Sequence, residues 1–187
     1  IVIKNHLYFL SSNARDEIIL EGTGLGAIVR DVTLRDRGVA YRVGDSLTEG
    51  RLDVAARPPL TLATLTIEPN VTLRFKRGGA VFVQFAQNTL PATGALVALG
   101  TAQAPIRFTS AESAPAAGDW LGVHFNGRAN PSTRLDHVQV EYAGGQTSFV
   151  GASCRYPDNI NNAAAIRVFV EPGSAFVTNT TVVASAR

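Results

Sequence analysis

Strand-length alternation of apolar and polar residues, recurring along almost the whole chain, most constrains what this sequence can fold into. It runs through 27–35, 65–76, 80–85, 95–99, 106–109, 122–125, 135–142, 165–170 and 175–184, punctuated by Gly, Pro, Asn or Ser. A period of two sends successive side chains to opposite faces of an extended segment, so these runs read as strands. No window carries a capped helical stripe, and only 10–20 admits a helical turn. With 187 residues, 45% apolar and 17% charged, the chain has the length and composition for a buried core and is not a disordered tail.

The runs also resemble one another at intervals. Leu73-Arg74-Phe75, Ile106-Arg107-Phe108 and Val138-Gln139-Val140 share an apolar-polar-apolar centre, with first residues 33 and then 32 apart. A second series, Val81-Phe82-Val83, Val123-His124-Phe125 and Ile166-Arg167-Val168, steps by 42 and 43, with Leu96 to Ala98 a candidate for a missing step. Repeats of this size imply a coil that returns to the same place and stacks like apolar residues over like. The expectation is an all-β solenoid of roughly five to six turns. Leu73, Ile106 and Val138 are expected to form one inward stack and Phe75, Phe108 and Val140 its neighbour.

Longer phrases carry a family resemblance over about residues 30–185. They are Leu65-Thr66-Ile67-Glu68-Pro69-Asn70-Val71-Thr72-Leu73-Arg74-Phe75, the stretch from Gly94 to Thr101 leading into Ala104-Pro105-Ile106-Arg107-Phe108, Gly118-Asp119-Trp120-Leu121-Gly122-Val123, and Leu135 to Gly144. The chain resembles secreted bacterial right-handed parallel β-helix proteins of the pectin-lyase-like type, most of which have no assigned reaction. Two departures stand out: Asn70 replaces the usual Gly, and an insertion at 146–162 interrupts the turn after Gly145. The resemblance implies a right-handed parallel β-helix over 27–187. Segment 1–26 is expected to be a cap or the end of a preceding module. It also implies a secreted or cell-surface location and a longer native polypeptide.

Charge and cysteine content narrow the partners. A net charge of +2, with basic residues spread along the chain, argues against nucleic acid or an anionic membrane. No apolar run reaches the roughly 18–20 residues needed to span a bilayer, so no membrane insertion is expected. One Cys excludes an internal disulfide framework. The expected partner is a glycan or a protein, and open solenoid ends also allow end-to-end self-association.

Two function classes follow. The first is a non-enzymatic structural or binding module. Here Arg74, Arg107 and Gln139 form an outward ladder able to contact an acidic sugar, Trp120 and Tyr156 supply aromatic faces, and loop 146–162 is the candidate epitope. The alternative is a polysaccharide lyase or glycoside hydrolase acting on an acidic glycan through His137, Glu141, Arg107 and Asp119. Such chemistry needs paired carboxylates, or a base with cations that stabilise a carbanion. The structural readings beside these are a solvated outer face with cross-rung ion pairs, and Trp120 packed at a turn with Asp119 accepting backbone N–H bonds. His6, His124 and His137 lack the spacing of a zinc site, so no cofactor is expected. Asp158, Asn159 and Asn161 offer oxygen ligands that would suit Ca2+. Cys154 has no candidate base and reads as a tolerated thiol.

Overall fold

The computed structural model describes residues 16–20, 27–44, 50–83, 93–145 and 164–186. Among them there is no helix. The strands are β1 (Glu17–Leu20), β2 (Val32–Leu34), β3 (Ala40–Val43), β4 (Arg51–Val54), β5 (Ala63–Ile67), β6 (Thr72–Phe75), β7 (Ala80–Val83), β8 (Gly94–Leu99), β9 (Ile106–Ser110), β10 (Gly122–Phe125), β11 (Arg134–Asp136), β12 (Val138–Glu141), β13 (Ile166–Val168), β14 (Val177–Thr178) and β15 (Thr181–Val183). They form three sheets: A, ordered β1-β3-β6-β9-β12-β15; B, ordered β13-β10-β7-β4; and C, ordered β14-β11-β8-β5-β2.

Every pairing is parallel, and the chain visits sheets C, A and B in that order before repeating. The molecule is a right-handed parallel β-helix. Four complete turns lie between a partial turn at each end. Glu17–Leu20, inside the segment expected to cap the coil, is the first strand of sheet A and pairs with β3.

Alternation builds the core by stacking across turns. In sheet B, Val81, Val123 and Ile166 lie in register, as do Val83, Phe125 and Val168, matching the second repeat series. Leu96 to Ala98 does not extend that series, because β8 pairs with β5 and β11 in sheet C. In sheet A the inward column is Tyr41, Leu73, Phe108, Val140 and Val182. Leu73 therefore stacks on Phe108 rather than Ile106, and Phe75 is opposite Ser110. Between β6 and β9 the expected register was two residues off, while β9 and β12 pair as expected, Ile106 with Val138 and Phe108 with Val140. A slip of two keeps every side chain on its face, so alternation alone does not detect it.

The corner before sheet A requires a left-handed backbone. Asn70, His137 and Asn179 have φ of 68°, 49° and 45°, and Gly38 has 70°. Asn is among the residues that tolerate this region, which explains why it replaces Gly at position 70. Asn70 Nδ2 donates to Asp36 Oδ2 at 2.8 Å, and Asn179 Nδ2 to Asp136 Oδ1 at 2.8 Å, tying this corner to the preceding turn.

Candidate functional site

The outer face of sheet A gathers most of the polar side chains singled out in the sequence. One outward column is Ala40, Thr72, Arg107, Gln139 and Thr181, and the next is Arg42, Arg74, Thr109, Glu141 and Val183. The expected ladder is thus split: Arg107 and Gln139 are neighbours, while Arg74 adjoins Thr109 in the second column. Arg107 donates to Glu141 Oε2 through Nε at 2.9 Å, with Nη2 at 2.8 Å from the same oxygen, and Thr109 Oγ1 donates to it at 2.9 Å. Glu141 faces outward yet is buried, at 8% exposure, because these neighbours close over it. Its hydrogen bond to Arg107 holds the guanidinium pKa above the ordinary arginine value.

The four residues of the catalytic alternative do not converge. Asp119 is buried at the corner after β9, where Oδ2 accepts from Ser110 Oγ at 2.7 Å and from the Ala116 N–H at 2.9 Å, while Oδ1 is 2.7 Å from Arg77 Nη2. Ser110 is an inward residue of β9 and Thr109 an outward one. Asp119 and Glu141 are therefore bonded to opposite faces of sheet A. His137 occupies the left-handed corner position, with Nδ1 at 3.1 Å from Asp136 Oδ1. It precedes Glu141 by four residues of extended chain, about 13 Å.

Trp120 is a core residue rather than a sugar platform. It is wholly buried, stacks on Phe75 with centroids 4.2 Å apart and planes at 8°, and donates Nε1–H to the Glu141 carbonyl at 2.7 Å. Tyr156, Asp158, Asn159, Asn161 and Cys154 lie outside the described residues, as does the 146–162 loop. Among the described residues no three His, Cys, Asp or Glu side chains are grouped as a metal centre requires.

At the β1 end of the same face lies a cavity of about 430 Å³ lined by Asp16, Glu17, Arg42, Arg74, Glu112 and Ser113, together with Ala111. Glu17 sits between two arginines, with Oε1 at 2.5 Å from Arg74 Nη1 and Oε2 at 3.6 Å from Arg42 Nη1. Its side chain is only 6% exposed, and Oε2 has no hydrogen bond. Of this cluster only Arg74 is among the residues expected from the sequence to bind a ligand. The available signal is Tyr41-Arg42-Val43, which precedes Leu73-Arg74-Phe75 by 32 residues with the same apolar-polar-apolar pattern. Glu17 and Glu112 carry no such signal, because only the coiling brings them beside the arginines.

Three parallel sheets, an apolar stacked interior and a polar, ion-paired outer face define a parallel β-helix protein that offers a surface along its coil. The chain belongs to the pectate-lyase-like β-helix family, whose domain model matches residues 59–154. No curated protein and no solved structure matches it.

Proposed function

We propose that this chain is a non-catalytic glycan-binding module, of a secreted or cell-surface protein, that receives its ligand on the outer face of sheet A. The family supports a glycan-related role. The observation that carries the binding reading is the state of the carboxylates. Glu141 is bound by Arg107 and Thr109, and Asp119 is buried behind the sheet with Ser110, Ala116 and Arg77. A general base needs a reachable proton acceptor, and paired carboxylates must face one cleft. The exposed half of Arg107, together with Gln139 and Thr72, instead offers fixed hydrogen-bonding groups one rung apart.

A depolymerisation screen tests the reading. The protein and its Glu141→Ala and Arg107→Ala variants are incubated with acidic and neutral polysaccharides, with and without Ca2+, and new reducing ends and unsaturated products are measured. The expected result is no turnover by any form, alongside retention of the protein on at least one immobilised polysaccharide. Turnover lost in Glu141→Ala would replace binding by catalysis.

A further inference from the structure

We infer that the cavity lined by Asp16, Glu17, Arg42, Arg74, Glu112 and Ser113 is a binding site for an uncharged pyranose ring and discriminates against uronates. This rests on the glycan-binding reading and names its ligand class. At about 430 Å³ the cavity falls within the range of small-molecule sites and has room for a sugar ring with its neighbours.

The charge balance sets the selectivity. Three carboxylates face two guanidiniums, and Glu17 already lies between both guanidiniums. A uronate carboxylate entering here meets arginines that are already compensated and two further carboxylates, Asp16 and Glu112, of its own sign.

The same groups suit hydroxyls, each of which donates and accepts at once. Glu17 uses one nitrogen of Arg74, and Arg42 gives Nε–H to the Gly44 carbonyl at 3.2 Å, which leaves further N–H donors on both. Glu112 accepts the Arg77 N–H through Oε1 at 3.2 Å, and its second oxygen remains an acceptor. Glu17 is nine-tenths buried and carries an oxygen without a hydrogen bond, so it fixes the donors without filling the site. Neighbouring hydroxyls of a pyranose can then accept from an arginine and donate to a carboxylate in one plane.

Calorimetric titration with three length-matched probes provides the test: cello-oligosaccharides, manno-oligosaccharides and oligogalacturonates. The variants are Glu112→Gln, which keeps an amide oxygen for the Arg77 N–H, Asp16→Asn, Arg107→Gln and Arg134→Gln. A neutral probe is expected to bind at least about tenfold more tightly than the oligogalacturonate. Glu112→Gln and Asp16→Asn are each expected to weaken the neutral probe by about three- to tenfold and to narrow the discrimination against the uronate. Arg134→Gln, exposed on sheet C outside the cavity, is expected to leave the neutral affinity within about twofold. Preferred binding of the oligogalacturonate, weakened by Arg107→Gln alone, would overturn the inference while keeping the glycan reading. Neutral binding indifferent to Glu112→Gln and Asp16→Asn would likewise place the site elsewhere. Binding of no probe would overturn both.

Discussion

Asp119 and His124 show how burial decides what a side chain does. Asp119→Ala leaves the Ser110 hydroxyl and the Ala116 N–H without their acceptor, at a cost of about 2–4 kcal/mol in urea unfolding. Arg77→Ala leaves the buried Oδ1 of Asp119 without its ion-pair partner and is expected to cost about 1–3 kcal/mol. His124 faces outward from sheet B, between Phe82 and Arg167 of adjacent turns, yet is buried with Nδ1 lacking a partner. Burial chiefly, with Arg167 adding to it, lowers its pKa to about 4 against the hydrogen bond to the Leu121 carbonyl. The unfolded chain therefore takes up a proton first as pH falls. The stability of the neutral form is full above the ordinary value of 6.5 and is lost progressively toward pH 4. The loss amounts to about 3 kcal/mol across that window, and His124→Phe is expected to flatten the curve, read as urea midpoints at several pH values. Asp36 acts in a different window. The Asn70 hydrogen bond, with help from the Gly38 N–H, lowers its pKa, so its contribution is present above 3.8 and disappears as pH falls through the lower folded value.

Single strands here are too short to hold themselves, and each depends on the turn above and below. Phe108 lies between Leu73 and Val140 in the sheet A column and meets Phe75 edge-on, with centroids 6.2 Å apart. Phe108→Ala is expected to cost about 3–5 kcal/mol and to loosen the neighbouring turns together, visible as faster amide exchange in β6 and β12. Gly122 starts β10 with φ of 120°, and a Cβ there would lie 2.5 Å from the Ala165 carbonyl oxygen on the next turn. Gly122→Ala is expected to cost about 2–3 kcal/mol by chemical denaturation, because both the backbone conformation and the β10–β13 pairing resist it.

Over the whole molecule, the interior is continuous while the outer face changes character along the coil, from the mixed-charge cavity near β1 to the Arg107–Glu141 pair further on. Trp120 is the sole tryptophan and lies in that interior, so intrinsic fluorescence reports the core. Its emission is expected to be blue-shifted, protected from acrylamide and unmoved by saturating glycan; a ligand-induced shift would place binding beside the core instead. The sequence by itself determined β2 and the strands from β5 onward, their inward faces and the fact of coiling, because a period of two and a repeat of one turn are properties of consecutive residues. β1 lies in a stretch expected to admit a helical turn, and β3 and β4 are too short to show that period on their own. The register between β6 and β9 escaped it, since Ile106-Arg107-Phe108 imitates Leu73-Arg74-Phe75 while stacking two residues away from it. The folded coil alone decided which polar groups meet. It brought Glu17 to Arg74 across 57 residues, put Asp119 and Glu141 on opposite faces of one sheet, and buried Trp120. A carboxylate's partners are set by distance in space, and that distance is fixed only when the turns stack.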